Sequence, residues 1–161
     1  WLHESFGTNW RMTEMQAAIG RIQLTRMSDW TAKRQTYAAA LDKAANEFEC
    51  VRLVTVPGYS EHAEYKHYMF IRPEYLAQGW DRDRIVNEIV ERGVPCFQGS
   101  CSEVYLEKAF DNTPWRPEKR LPNAVELGET SIMFLVHPTL TEAEVAKTAQ
   151  VMKEVFSLAS K

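Results

Sequence analysis

The chain has no apolar run of the roughly 18 residues a bilayer span needs, and no charged-then-apolar leader at its start. A cytoplasmic protein is expected, with no membrane as partner. Nor does it carry a basic block: 19 Lys and Arg lie scattered among 22 Asp and Glu, leaving a net charge of −3, so nucleic acid is not an expected partner. Cysteine is scarce. Cys50, Cys96 and Cys101 make an odd count, and no histidine stands beside Cys96 or Cys101 to complete a zinc set, so reduced thiols and no metal site are expected. Neither a glycine fingerprint of a βαβ dinucleotide fold nor an internal repeat is visible. The chain begins at Trp1 rather than Met, and a fragment is expected.

What is present is enough for one core, since 45% of the 161 residues are hydrophobic and 25% charged. From Thr13 to about Asn46 there is no proline, and Gly20 is the only glycine. Apolar residues recur at Met15, Ile19, Ile22, Met27, Trp30, Tyr37, Leu41, Ala44 and Phe48, the stripe of one helix about nine turns long. A helix of that length exceeds a small domain, so its first half is expected to pack on a large domain outside this sequence or on a second subunit.

After Cys50 the pattern changes. VRLVTVP and EYKHYMFIRP read as two strands, each stopped by proline, with the polar loop GYSEHAE between them. Asp81 caps a second helix with Ile85, Val86, Ile89 and Val90 on one apolar face and Gly93 as its stop. Val94 to Phe97 is expected to be a short strand. SEVYLEKAF reads as a helical turn or two carrying Val104, Tyr105 and Phe110 inward, and 111–120 as loop. Leu121 to Leu127 can form a short helix with Pro122 in its first turn, SIMFLV is the most apolar strand, and Thr141 with Glu144 opens a last helix through a capping box. The sum predicts an α+β fold: a small, mostly antiparallel sheet with helices largely on one face and a long N-terminal helix.

Function is legible where a polar turn meets the first helix. In GTNWRM, Gly7 frees the backbone and Asn9 can donate and accept together, and Thr13 with Gln16 then builds a capping box. By itself such a pattern is an ordinary turn. A helix start flanked by Asn9 and Arg11 is also suited to holding a phosphate.

Taken whole, GTNWRMTEMQAAIGRIQL resembles the G-x-N-x-R-M…AA-x-G…QL segment of the DegT/StrS-type sugar aminotransferases, fold type I enzymes dependent on pyridoxal phosphate. HYMFIRP and RLPNAVELGETSIMFLVHPTLT resemble that family's C-terminal portion. The resemblance implies a turn segment over 1–12 between domains and a C-terminal small domain over 13–161, with the large cofactor-binding domain absent. It implies that Asn9 reaches across a homodimer to the cofactor phosphate of the other subunit. Arg11 would serve the substrate or active site, or else anchor the turn by an internal ion pair. His137, at the end of the apolar strand, either faces the active-site cleft or bonds to backbone; His67 is a weaker candidate for the nucleotide-sugar side. His3 and His62 carry no signal. Cys96 and Cys101 lie near a segment that approaches the substrate in the family, with no base beside them for nucleophilic work.

The family's Schiff-base lysine, its acid for the pyridinium nitrogen and its stacked aromatic lie upstream of this segment, so no catalytic residue is assigned and the fragment alone is expected to be inactive. The parent is expected to transfer an amino group, with glutamate as donor, to a nucleotide-linked keto-sugar in polysaccharide or glycoconjugate biosynthesis. A sugar dehydratase of the same fold and a non-catalytic regulatory module are the alternatives.

Overall fold

The computed structural model describes residues 4–8 and 10–161. Five helices and four strands follow one another: α1 (Glu14–Leu24), α2 (Met27–Ala45), β1 (Val51–Leu53), β2 (His67–Ile71), α3 (Arg82–Glu91), β3 (Cys96–Phe97), α4 (Pro122–Thr130), β4 (Ser131–Phe134) and α5 (Glu142–Ala159). The strands form one sheet in the order β1-β2-β4-β3, antiparallel throughout. The expected α+β architecture is present.

Register decides which side chains meet the core. Val51 pairs with Ile71, Leu53 with Met69, Met69 with Ile132, and both His67 and Cys96 with Phe134. Because side chains alternate along a strand, these residues share one face. Against that face lie Tyr37, Ala38 and Leu41 of α2, Ile85 and Ile89 of α3, and Met152, Val155 and Phe156 of α5, all buried in one cluster. The opposite face carries Arg52, Tyr68, Phe70, Phe97, Ser131 and Met133, and α4 approaches the sheet at β2. Helices are therefore largely on one face.

Three sequence expectations are corrected. The helix expected to run unbroken to Asn46 is divided at Thr25 and Arg26. The Thr25 hydroxyl takes the Ile22 carbonyl at 2.8 Å, and the Arg26 N–H turns to Gln23 at 3.0 Å, so the ladder loses its i to i+4 step there. Val104 does not point inward; it sits on the first of two short 3₁₀ turns and is exposed, while Tyr105 and Phe110 are half-buried. Val90 falls at the edge of the α3 face and is exposed, leaving Ile85, Val86 and Ile89 as its buried residues. The caps agree with expectation. Thr13 with Gln16 and Thr141 with Glu144 form capping boxes, and Asp81 accepts from the Arg84 N–H.

The apolar stripe of the helical stretch is split in burial. Tyr37, Leu41 and Ala44 are buried, whereas α1 contains no buried residue. Met15 is 77% exposed and Ile19 58%, and Trp10 just ahead of the helix is 88% exposed. A helix of 11 residues with no buried residue is marginal alone in water. No helix among the described residues is long and apolar enough to cross a membrane.

Candidate functional site

Asn9 lies outside the described residues, so its neighbours define the turn. Gly7, Thr8, Trp10, Arg11 and Met12 are all exposed. Arg11 has no hydrogen bond or ion pair among the described residues, so the alternative of an internal ion pair anchoring the turn is not realised there. The turn is tied down one step earlier. Phe6 packs edge-on against Phe110 with ring centroids 5.2 Å apart and against Trp115 at 6.1 Å, and Glu4 pairs with Lys108 at 3.0 Å.

His67 and His137 occupy opposite environments. His67 is buried on the core face of β2, with Nε2 2.9 Å from Asp42 Oδ1 of α2 and Nδ1 3.2 Å from Glu64 Oε2. Burial alone depresses its basicity, but the hydrogen bonds and charges of Asp42 and then Glu64 outweigh that, and its pKa is raised. Both ring nitrogens are taken, so His67 meets no ligand directly in this arrangement. His137 is exposed beyond the end of β4; its Nδ1 faces the hydroxyl of Thr139 at 2.8 Å and the Thr139 N–H at 3.3 Å.

The cysteines are free thiols. Cys96 is buried under α3, and desolvation pushes its pKa up to about 12, so it is not a nucleophile. Cys101 is exposed in the loop after β3, with Sγ 3.7 Å from Glu107 Oε1.

That loop is the part sequence reasoning left least developed. Residues 98–103 run past the open face of the sheet and α4, around a cavity of about 500 Å3. Two glycines allow the close approach. Gly99 has φ +94°, and a Cβ there would lie 2.7 Å from Ser131 Oγ; a Cβ on Gly128 would lie 2.4 Å from Ser102 Oγ. Arg82 of α3 fixes the loop's start, its Nη1 donating to the carbonyls of Ser131 at 2.8 Å, Gly128 at 3.0 Å and Gln98 at 3.3 Å. Ser131 Oγ adds a bond to the Gln98 carbonyl at 2.7 Å, and Tyr68 and Ser100 share a hydroxyl contact at 2.8 Å.

At the loop's far end Glu103 accepts from Arg120 and Tyr105, which hold its carboxyl down to about 2. Two weak signals in the sequence could have found this arrangement. One is a glycine in each of two segments that must touch; the other is an arginine at the first position of a helix.

A model described as the DegT/DnrJ/EryC1/StrS aminotransferase family matches residues 1–154. Among curated proteins the chain is 24% identical to dTDP-4-dehydro-2,3,6-trideoxy-D-glucose 4-aminotransferase of Saccharopolyspora spinosa, covering 91% of this chain and 35% of the relative. It is 26% identical to dTDP-3-amino-3,4,6-trideoxy-alpha-D-glucose transaminase of Streptomyces venezuelae, covering 94% and 38%. Among solved structures, an aminotransferase from Psychrobacter cryohalolentis superposes with a TM-score of 0.86 at 57% identity, over 98% of this chain and 42% of that one. The chain thus spans well under half of the relatives it matches.

Proposed function

The chain belongs to the DegT/DnrJ/EryC1/StrS aminotransferase family, and from that premise we propose that it forms part of a pyridoxal-phosphate enzyme moving an amino group from glutamate to the keto group of a nucleotide-linked sugar. The whole protein would work as a cytoplasmic homodimer in the making of a polysaccharide or glycoconjugate. The observation that supports this reading is the join at Thr13. A free polar turn leads directly into a helix whose apolar side chains are uncovered, as expected where a small domain over 13–161 meets a larger body.

The cofactor's phosphate fits this end of the chain. Arg11 has no ion pair, and the N–H groups of Glu14 and Met15 have no partner among the described residues. Asn9 is proposed to hydrogen-bond that phosphate on the other subunit. The cofactor's ring finds no such fit, because lysines here lie in surface contacts such as Lys108 with Glu4 and Lys147 with the Gly93 carbonyl. Pyridoxal phosphate, when bound, supplies the carbonyl and electron sink for amino transfer. This chain's part is binding and orientation. Arg11 and His137 offer exposed polar groups to the substrate side, and His67 acts at one remove by holding β2 to α2.

The test is an absorbance titration of the complete protein with pyridoxal phosphate, followed by glutamate. A bound-cofactor band that glutamate converts to the amine form supports transamination. An Asn9→Ala variant should bind the cofactor more weakly by the same titration. A complete protein that holds the cofactor but does not respond to glutamate would overturn the reading in favour of dehydration or a non-catalytic role.

A further inference from the structure

We propose that residues 54–66, the loop joining β1 to β2, are latched onto α2 by the proton of His67 and come free when that proton leaves. The latch is a chain of contacts. Gln35 of α2 donates to the His62 carbonyl at 2.9 Å, and His62 Nδ1 lies 2.8 Å from Glu64 Oε1. Glu64 Oε2 lies 3.2 Å from His67 Nδ1, and His67 Nε2 lies 2.9 Å from Asp42 Oδ1, back on α2. Gln35 and Asp42 are about two turns apart on one side of that helix, so the chain of contacts starts and ends on it. Among the described residues, the hydrogen bonds that join the loop to the rest of the fold are those made by Gln35 and by His67.

One proton decides whether the chain of contacts closes. A carboxylate only accepts, so a ring nitrogen that bonds to one must carry hydrogen, and His67 satisfies both carboxylates only as the imidazolium. A neutral imidazole keeps a single N–H and turns a lone pair on the other carboxylate. Asp42 retains its bond, which is the shorter and comes from a regular helix. Glu64 is released, because its bond is longer and its backbone φ of 48° is a left-handed conformation disfavoured for a residue with a Cβ. The charges facing His67 come from Asp42 on α2 and Glu64 on the loop, with the exposed His62 beyond Glu64, while β4 sets Phe134 against it.

The loop also forms one wall of a groove of about 430 Å3, with Glu61 and Ala63 set against Met27, Thr31 and Ala32 of α2. Its release uncovers the first half of α2, next to the break at Thr25 and Arg26 where α1 joins it. The two carboxylates outweigh burial and raise the pKa of His67, so the latch stays closed past pH 6.5 and opens at higher pH. The latch does not depend on the aminotransferase reading.

The experiment is limited proteolysis of the complete protein by proteinase K from about pH 6 to about pH 9, each rate divided by that of the free peptide 54–66 at the same pH. Cleavage within the loop should rise roughly tenfold across that range, the worth of one charge-assisted hydrogen bond, with no new cuts in β2 or α5. Glu64→Gln should keep the loop resistant throughout, because an amide can accept from the charged ring and donate to the neutral one. Glu64→Ala should leave the loop open to cleavage throughout. A wild-type rate that does not change with pH, or a pH step that survives in either variant, overturns the latch. So does cleavage that rises equally in loop and core, since that reports global stability.

Discussion

His67 Nε2 lies 2.9 Å from Asp42 Oδ1, a bond that ties the second strand of the sheet to α2 through the buried face. Glu64 completes the arrangement from the other side. It sits at a left-handed φ of 48° and is held there by His67 and by His62 at 2.8 Å. The His67 pKa is raised above 6.5 because the two carboxylates outweigh burial.

The sign follows from linkage. A group whose pKa is higher folded than unfolded adds stability below the unfolded value, and that contribution is lost as pH rises through the folded one. Chemical denaturation at several pH values should therefore show a stability component fading above pH 6.5 in the wild type. His67→Gln should remove it while costing about 1–3 kcal/mol, since two carboxylates lose their partner. An unchanged pH profile in the variant would show that His67 is not the group titrating.

Arg82 makes the second prediction. One nitrogen serves three carbonyls, including that of Gly128 in the last turn of α4, where unpaired carbonyls and the helix dipole favour a cation. Arg82→Met should lower stability by about 2 kcal/mol and raise hydrogen exchange in residues 98–103 and at the end of α4. Arg82→Lys should not restore the wild-type exchange pattern, because a lysine ammonium cannot reach the three carbonyls and also keep the bond from Nε to Asp83 at 2.6 Å that orients the arginine. Full rescue by lysine would mean that charge alone suffices.

The elements were legible where local chemistry decides them. Thr13 with Gln16, Asp81 and Thr141 each announce a helix start through their own side chains, and the structure shows each cap formed. The break at Thr25 was missed because threonine is tolerated inside helices, and only the competition of its hydroxyl for the Ile22 carbonyl reveals the interruption. The packing of the loop after β3 was not legible for another reason. Arg82, Gly99 and Gly128 are far apart in sequence, and their meeting depends on the order β1-β2-β4-β3, which no local pattern encodes. His67 read as a ligand candidate because its burial follows from register alone.

The third prediction concerns the N-terminal clasp. Edge-to-face aromatic pairs contribute about 0.5–1.5 kcal/mol, and Phe6 contacts both Phe110 and Trp115. Phe6→Ala should leave the melting of the core unchanged but make residues 4–8 a ready site for limited proteolysis. Lys108→Ala should do the same more weakly, as its pair with Glu4 is exposed. Resistance of the Phe6 variant to proteolysis would place the hold on this segment elsewhere.

The last prediction follows from the uncovered face of α1. Met15, Ile19 and Ile22 are each more than half exposed, and side chains three and four apart on a helix share a face, so an apolar strip faces solvent, with Trp10 and Met12 exposed just ahead of it. A strip of this kind drives association when nothing covers it. The isolated chain should therefore associate as its concentration rises in sedimentation equilibrium. Met15→Glu with Ile19→Glu should return it to a monomer without lowering the melting temperature of the core, because α1 contributes no buried residue. In the complete protein the same pair should destabilise, since there the strip is expected to be covered. An isolated chain that stays monomeric at high concentration, or a double variant harmless to the complete protein, would show that α1 is a solvent helix and not an interface.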